Sequence, residues 1–373
     1  MTARHLYVHV PFCRRRCVYC DFSIAVRSPV PARDYLDAVA REWERCARPA
    51  AGAGGLSTLY LGGGTPSLLG GAGVAALAGV LGVGPGLDEF TIEANPDDVT
   101  PENATAWARS GVNRLSLGVQ SCDEAVLRWM HRSHAAAAVP ASVARARRAG
   151  IRTVSVDVIF ALPEQLGRDL DSDLTRFLEL EPDHVSLYGL TAEPNTPLGR
   201  GAARGEPKSV LPPEARYEDE YLRIHERLAA AGYAFYEVSN AARPGAEAVH
   251  NRAYWRLAPY LGIGPSAHSF DGTSRWWNVA PYEAWRRRLA EGASPVAGRE
   301  LLRPEQRRLE ALYLGLRTSD GVELPAPPTG ALAAAISGWV AAGWAEVEGV
   351  GGPLRLRLTP RGWLRLDELA ASL

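Results

Sequence analysis

The sequence predicts an α/β fold, a partial (β/α)6 TIM-like barrel followed by a small C-terminal α+β module of winged-helix type. Strand-like and helix-like segments alternate over most of the 373 residues. A repeated βα order implies parallel strands joined by right-handed crossovers. Polar residues also stand at the ends of four successive strands: the glycine run at Gly62, then Glu93, Gln120 and Asp157. Such a spread favours a barrel, incomplete with about six strands, over a doubly wound sheet with one switch point.

The individual elements follow from the hydrophobic pattern. Short apolar runs bounded by Gly, Pro or polar residues indicate strands, and apolar positions three or four residues apart indicate helices. The predicted strands are 6–10, 58–61, 90–93, 114–119, 152–159, 185–190 and 234–238, of which the last is expected to close the parallel series. The predicted helices between them are 34–46, 101–109, 169–180 and 214–231. The first helix places Cys46 on an apolar stripe with Val39 and Trp43, so we expect a buried thiol there.

Three regions are predicted along the chain. Residues 1–240 form the barrel, 241–303 an aromatic-rich connecting region, and 304–373 the C-terminal module, because the βα alternation stops near residue 240. The module is predicted to contain helices at 304–316 and 332–342, a Pro/Gly-rich linker at 325–330, a hairpin at 345–359 that turns at 349–353, and a final helix.

The C-terminal module is not expected to read DNA. A winged helix that binds DNA needs basic side chains on its second helix. Residues 330–347 contain no Lys, Arg or His. We therefore expect a structural or protein-contact role and no nucleic-acid partner.

Composition excludes several classes of protein. Lys and Arg number 41 against 42 Asp and Glu, so the formal net charge of −1 implies no general attraction to nucleic acid or to a membrane surface. No apolar run approaches the roughly 18 residues of a membrane helix. We expect no integral membrane segment and leave peripheral association open. With 5 cysteines and no signal peptide, a disulfide framework is not expected, and the cytoplasm is the expected location.

Cys13, Cys17 and Cys20 form a C-x3-C-x2-C cluster near the N-terminus. Three thiolates can hold a four-iron, four-sulfur cluster by three of its irons and leave the fourth iron open. A zinc site completed by His5 or His9 is the alternative, because zinc takes four such ligands. Zinc pairs usually read C-x2-C, so the spacing favours the iron–sulfur interpretation over zinc and over a chance grouping.

A glycine run, Gly62-Gly63-Gly64-Thr65-Pro66, follows the second predicted strand. Glycines allow the backbone to approach a ligand whose polar groups bind exposed carbonyls and amides. The run is not a P-loop, because no Gly-Lys-Ser/Thr follows it. Alone it would indicate only a tight turn, but after a cysteine triad and a strand it indicates a cofactor loop.

These motifs together resemble the radical S-adenosylmethionine (SAM) superfamily, and within it the HemN-like branch. The resemblance covers essentially the whole chain and rests on the segment 7–13 with the two later cysteines, the glycine run, and the segments 91–96, 117–121 and 156–159. It implies a [4Fe-4S] cluster held by the three cysteines, whose open iron takes the amino and carboxylate groups of SAM. Reduction of the cluster, by an electron donor of flavodoxin or ferredoxin type, then splits the sulfonium to a 5′-deoxyadenosyl radical.

The resemblance also implies a set of SAM contacts. They are Tyr7, the backbone of Tyr19, Gly63, Gly64, Thr65, Glu93, Gln120, Arg132 and Asp157. The residue types are chemically suitable, since a guanidinium pairs with a carboxylate, and carboxylates pair with an ammonium group and ribose hydroxyls. Taken singly, Arg132 is equally typical of a surface cation, and Asp157 of a helix cap or turn.

Three functions compete within this branch. Oxygen-independent coproporphyrinogen III oxidases are similar, but they have a longer N-terminal segment and a Cys-Gly-Cys ending. This chain has twelve residues before Cys13 and reads Cys20-Asp21-Phe22, so we expect it not to be such an oxidase. HemN-like methyltransferases that use two SAM molecules share the same core. Haem chaperones of the HemW subgroup share a His-Asn-x-x-Tyr-Trp element, which stands here at 250–255.

The element at 250–255 favours the chaperone. An imidazole can ligate haem iron, and aromatic rings can stack on the macrocycle, so haem is expected near His250. The alternative is that His250 caps a loop while the aromatic residues pack a domain junction. The resemblance implies that haem is passed to client haemoproteins rather than that a substrate is consumed.

Overall fold

A computed structural model describes residues 3–51, 55–324, 329–349 and 354–371. The strands are β1 (His5–Val10), β2 (Phe12–Cys13), β3 (Ala25–Val26), β4 (Thr58–Gly63), β5 (Glu89–Ala94), β6 (Arg114–Gln120), β7 (Thr153–Phe160), β8 (His184–Gly189), β9 (Ala234–Glu237), β10 (Asn240–Ala242), β11 (Tyr260–Ile263), β12 (His268–Phe270), β13 (Ser274–Asn278), β14 (Val296–Leu301), β15 (Val322–Leu324), β16 (Ala345–Glu348) and β17 (Leu354–Leu358).

The α-helices cover most of the segments between these strands. They are α1 (Ala32–Glu42), α2 (Gly70–Leu81), α3 (Pro101–Arg109), α4 (Glu124–Trp129), α5 (Val139–Arg148), α6 (Leu170–Glu179), α7 (Pro197–Ala203), α8 (Glu214–Ala230), α9 (Val249–Trp255), α10 (Tyr282–Ala290), α11 (Pro304–Leu316), α12 (Gly330–Ala341), α13 (Pro360–Trp363) and α14 (Leu366–Ala371). In the described part of the chain, no helix combines the length and the apolar character that crossing a membrane requires.

One twelve-stranded sheet forms the body of the molecule. Its order is β14-β13-β12-β11-β1-β4-β5-β6-β7-β8-β10-β9. Within this order, the strands from β11 to β8 run parallel to one another. The end strands β14 and β9 do not pair with each other within the described ranges, so the sheet is open there. The fold is therefore α/β with a central parallel sheet, as the sequence predicts.

The strand predicted at 234–238 exists, but it does not close the parallel series. β9 pairs with β10 in antiparallel fashion, and β10 pairs in the same way with β8. Two residues separate β9 from β10, which is enough for a hairpin but far too few for a parallel crossover. The unpredicted three-residue strand β10 therefore occupies the position beside β8.

The predicted connecting region, residues 241–303, contributes strands to the same sheet. β11 lies parallel to β1, and β12, β13 and β14 follow as an antiparallel meander at that edge. Helix α9, which carries the element at 250–255, contacts β4. The division of the chain near residue 240 stays a prediction.

The two faces of the parallel strands differ in chemistry. The apolar residues of each strand, such as Leu6, Val8 and Leu59, are fully buried against the helices. The alternate positions, which face the other way, carry polar side chains. On β1, β4, β5, β6, β7 and β8 they include His5, Tyr7, His9, Thr58, Tyr60, Glu89, Glu93, Arg114, Ser116, Ser155, Asp157, His184 and Ser186. The inner face is therefore a polar surface suited to a site.

Cys46 is exposed, which corrects the expectation of a buried thiol. Helix α1 continues into a π-helical segment, Trp43–Ala47, in which Trp43 and Ala47 are buried. The i→i+5 spacing of a π-helix changes the angular step between residues. Cys46 therefore does not face the same side as Val39 and Trp43, as it would in a continuous α-helix.

The C-terminal module has its own core. Strands β15, β17 and β16 form a separate three-stranded sheet, against which Leu316, Ile336 and Trp363 pack. The predicted helices and hairpin strands are present. Residues 325–328 of the predicted linker at 325–330, and residues 350–353 of the predicted turn at 349–353, lie outside the described residues.

Candidate functional site

The three cysteines lie on the segment that follows β1, with Cys13 at the end of β2, and all three line one cavity of about 380 Å³, here called the cluster cavity. Their thiols are unpaired and partly buried. Burial raises the pKa of Cys13 to about 11 and also raises the pKa of Cys20. The hydroxyl of Thr65 donates a hydrogen bond to Sγ of Cys13 at 3.5 Å, which favours the thiolate. Bound iron would favour it much more strongly.

The placement of these thiols suits a cluster. Within the described ranges, no three His, Cys, Asp or Glu side chains converge closely enough to hold one metal ion. An iron–sulfur cubane spreads three cysteines over three different irons, so it needs a wider spacing than a single zinc ion does. Three thiols on one loop at one cavity wall are a donor set that fits such a cluster.

Glycine is required where the cysteine loop crosses the end of β4. Gly63 has a φ of +115°, and its N–H donates to Oε2 of Glu93 at 3.1 Å. The N–H of Gly64 donates to the carbonyl of Val10 at 2.8 Å. A Cβ on Gly64 would lie 2.7 Å from the carbonyl oxygen of Phe12. The glycine run therefore packs directly against the backbone that carries Cys13.

Two carboxyl groups enter the cluster cavity from β5 and β7. Glu93 accepts a hydrogen bond of 2.8 Å from the hydroxyl of Tyr60, and Asp157 accepts one of 3.2 Å from Ser116. Burial raises the pKa of Glu93 to about 7 and that of Asp157 to about 6. Neither carboxyl has an ion-pair partner within 4 Å among the described residues, so a cationic or hydroxyl-bearing ligand would find two acceptors here.

Arg132 connects the cysteine loop to the strand ends. Its Nη2 donates to Oδ1 of Asn95 at 2.5 Å and to the carbonyl of Gly118 at 2.7 Å, and its Nη1 lies 3.7 Å from Sγ of Cys17. Its Nε is buried without a hydrogen-bond partner in the described part of the chain. The guanidinium is thus held in place and retains a free donor, which suits a carboxylate ligand.

Gln120 lines the cluster cavity at an irregularity near the end of β6. The pairing of β6 with β7 shifts register between Leu117 and Gln120, and Gln120 has a φ of +69°. A left-handed residue at a strand end redirects its side chain, and such strain is typical of sites.

The structure brings eight of the predicted SAM residues together and leaves one aside. The cluster cavity is lined by Tyr19, Gly63, Gly64, Thr65, Glu93, Gln120, Arg132 and Asp157, with the three cysteines. Tyr7 lines a neighbouring cavity instead, where its hydroxyl lies 3.1 Å from Nδ1 of His9. Direct contact of these residues with SAM stays a prediction.

The structure places His250, the predicted haem ligand, in the interior of the protein. Its side chain is fully buried under the inner face of the sheet. Nδ1 lies 2.7 Å from the hydroxyl of Thr58, and Nε2 lies 2.8 Å from the hydroxyl of Tyr254. Burial lowers the pKa of His250 to about 3. Both ring nitrogens are engaged, so direct ligation of haem iron by His250, which stays a prediction, would require one of these bonds to break.

Sequence reasoning missed several residues of the cluster cavity, among them Asn95, Ser116 and Tyr188. Ser116 and Tyr188 occupy the inward positions of β6 and β8, as Asp157 does on β7. The alternation of strand residues could have identified both. Asn95 follows β5 directly and could have been identified as the residue after a site strand.

Comparison with known proteins identifies the family of this chain. The sequence profile of the radical SAM superfamily matches residues 7–176. Heme chaperone HemW of Lactococcus lactis is 37% identical over 323 residues, which cover 85% of this chain and 82% of that protein. Heme chaperone HemW of Bacillus subtilis is 34% identical over 320 residues, covering 85% and 84%.

Among solved structures, the coproporphyrinogen III oxidase HemN from Escherichia coli superposes with a TM-score of 0.81 at 23% identity. The match covers 100% of this chain and 90% of that one, and it establishes the shared fold. The sequence identity to the two HemW proteins, which extends over most of each chain, establishes the family as well as the fold. The chain belongs to the HemW family of radical SAM proteins.

Proposed function

We propose that this protein is a haem chaperone, which binds haem, a [4Fe-4S] cluster and SAM and delivers haem to client haemoproteins. The observation that carries the proposal is its membership of a family whose curated relatives are named heme chaperones. The cysteine motif also supports it, because Asp21 follows Cys20 directly and no further cysteine lies close by.

The radical SAM family implies the cluster and SAM as cofactors. We assign the cluster to the three cysteines and SAM to the cavity between them and the strand ends. When bound, the cluster supplies an iron with an open coordination position. The carboxyls of Glu93 and Asp157 would accept hydrogen bonds from the amino and hydroxyl groups of SAM, and Arg132 would pair with its carboxylate.

We infer that the reductant is an acidic electron-transfer protein of flavodoxin or ferredoxin type. Arg14, Arg15 and Arg16 are exposed on the loop between Cys13 and Cys17. Arg14 pairs with Asp98 at 2.7 Å, whereas Arg15 and Arg16 donate to backbone carbonyls and have no ion-pair partner among the described residues, so their charges are open to a partner. Exposed charges of one sign beside a redox centre accelerate encounter with a partner of opposite charge. A cytoplasmic location, where thiols remain reduced, is part of the proposal.

The experiment that tests the function separates the chaperone from an oxidase. The protein is reconstituted anaerobically with iron and sulfide, supplied with a chemical reductant and SAM, and offered haem or coproporphyrinogen III. The proposal predicts a haem Soret band on the protein and no release of carbon dioxide from the porphyrinogen. Turnover of coproporphyrinogen would overturn the proposal.

Matched cysteine variants connect the cluster to this test. Cys17→Ala should lose most of the iron, whereas Cys46→Ala should retain it, because Cys46 is exposed and lies outside the cluster cavity.

A further inference from the structure

A second cavity, of about 480 Å³, lies next to the cluster cavity and is here called the aromatic cavity. It is formed by β11, β12 and β13 together with helices α9 and α11. Two tyrosines link it to the cluster cavity. Tyr7 lines it and stacks on Tyr60, with ring centroids 6.0 Å apart, and Tyr60 hydrogen-bonds to Glu93.

One wall of the aromatic cavity is a single face of the β11–β13 meander. Tyr260 is paired with Phe270, and Phe270 with Arg275. His268 is paired with Trp277, two residues further along both strands. Side chains of directly paired residues, and of residues two apart, point to the same side of a sheet. Three aromatic rings, one imidazole and one guanidinium therefore share this face, and all but Trp277 line the cavity.

An adjoining wall comes from the element at 250–255. Tyr254 and Trp255 line the cavity, and the ring of Tyr254 meets that of Tyr260 edge to face at 4.6 Å between centroids. His250 fixes this wall, because its Nε2 is hydrogen-bonded to the hydroxyl of Tyr254. Flat apolar walls of this kind suit a planar, largely apolar ligand.

His268 provides a nitrogen donor in this cavity. Its imidazole is exposed and has no hydrogen-bond partner among the residues that the structure describes. It lies against the ring of Trp277, with centroids 5.9 Å apart and planes 24° apart, which orients it. Burial of its inner part, followed by the charge of Arg275, lowers its pKa, so the neutral form that ligates iron prevails near pH 7.

Arg275 provides a charge for an acidic substituent at the same wall. Its Nη2 donates to Oε2 of Glu310 at 2.6 Å. Its Nε and Nη1 donors have no protein acceptor in the described part of the chain, and the side chain is about one third exposed. The guanidinium can therefore donate to Glu310 and, through its other N–H groups, to the carboxylate of a ligand at the same time.

We propose that the aromatic cavity is the haem site, with His268 as the axial ligand of the iron and Arg275 as a partner of a propionate. The inference rests on the proposed function, since the family name supplies haem as the occupant. It assigns the element at 250–255 a positioning role, in which His250 holds Tyr254 against the macrocycle instead of binding the iron.

The test uses the full-length protein, reconstituted with its cluster and titrated anaerobically with ferric haem. The His268→Ala variant should bind haem at least about tenfold more weakly and lose the histidine-type Soret band and electron paramagnetic resonance signal. Free imidazole added to that variant should restore the band. The His131→Ala variant serves as a comparison, because His131 is exposed at the rim of the cluster cavity. Iron content and thermal midpoint report the folding of both variants.

The outcomes separate the site from the function. If the wild type binds haem and His268→Ala shows the same affinity and spectrum, the assignment of haem to the aromatic cavity is wrong, and the proposed chaperone function is unaffected. Loss of the band in His131→Ala alone would move haem to the cluster cavity and overturn the site. Absence of haem binding by the wild type would overturn the proposed function itself. Rescue of His268→Ala by imidazole supports the ligand assignment, because a merely unfolded variant would not respond.

Discussion

The hydroxyl of Tyr60 donates a 2.8 Å hydrogen bond to Oε1 of Glu93, while the ring of Tyr60 lies 5.3 Å from that of His250. One side chain thus contacts both the carboxyl group of the cluster cavity and the family element that bounds the aromatic cavity. The two proposed ligand sites are neighbours through this tyrosine, so changes in one can alter the other.

Removing the Tyr60 hydroxyl should weaken SAM binding. The hydrogen bond from Tyr60 lowers the pKa of Glu93, against a larger rise due to burial. In Tyr60→Phe the carboxyl is more often protonated near pH 7, and we expect a loss of about 1 kcal/mol, or about fivefold in affinity. This loss is measured by equilibrium binding of SAM to the reconstituted wild type and variant. Tyr313→Phe, whose hydroxyl contacts Asp367 in the C-terminal module, is the control and should bind SAM normally.

The affinity for SAM should depend on pH with a definite sign. The pKa values of Glu93 and Asp157, about 7 and about 6, are raised by burial, so both carboxyls become neutral as the pH falls through these values. Ionised carboxylates pair better with the cationic groups of SAM. Affinity should therefore fall between about pH 8 and about pH 6.

The variant Glu93→Gln should show weaker binding and a flatter pH profile than the wild type. Glu102→Gln, which alters a fully exposed carboxyl on α3, should leave the profile unchanged. An affinity that is constant or rises on acidification would contradict the assignment of the two carboxyls.

Adding one methyl group at Gly64 should displace the cysteine loop. The new Cβ would lie 2.7–2.8 Å from the carbonyl groups of Pro11 and Phe12, which are backbone atoms that cannot rotate away. We expect Gly64→Ala to hold less iron per chain and to have a lower thermal midpoint. Gly79→Ala in helix α2 meets nothing within 4 Å and should be neutral or stabilising by about 0.5–1 kcal/mol. Equal iron content in Gly64→Ala and Gly79→Ala would show that the close approach of Gly64 to the backbone before Cys13 is not needed to hold the cluster.

Truncating His250 should cost stability. The side chain is fully buried and joins Thr58 to Tyr254, so His250→Ala leaves two hydroxyl groups without these partners. We expect a loss of about 2–4 kcal/mol in the free energy of unfolding, measured by chemical denaturation. His131→Ala, at an exposed position, should change it little. If His250→Ala is as stable as the wild type and loses only the haem band, the ligand role predicted from the sequence is favoured over the positioning role.

Much of the fold follows from local pattern. The strands that carry Glu93, Gln120 and Asp157 are apolar runs with turn residues at their ends, and the structure contains each within one residue of the prediction at each end. The cluster cavity follows in turn, because the carboxyl ends of parallel strands share one edge. The predictions that were wrong concern short or irregular elements. Strand β10 is too short to show a period, and the π-helical turn at Cys46 breaks the one that α1 establishes.

The position of His250 could not be predicted from sequence. A histidine between aromatic residues has the composition of a haem ligand, but its role depends on Thr58, a residue distant along the chain, which occupies one ring nitrogen. His268 is not predicted as a ligand by the sequence, because it stands in a three-residue strand and only the pairing of that strand with β13 places it beside Trp277. Both cases depend on contacts between segments that no local pattern encodes.

The most direct test of the chaperone claim is haem transfer. The reconstituted protein, loaded with one haem per chain and freed of excess haem, is mixed anaerobically with an apo-cytochrome of the b type, and the Soret spectrum of the acceptor is followed after separation. The account predicts that haem leaves the protein and appears in the acceptor, faster than from haem-loaded serum albumin at the same concentration. Retention of haem by the protein, or transfer no faster than from albumin, would contradict it.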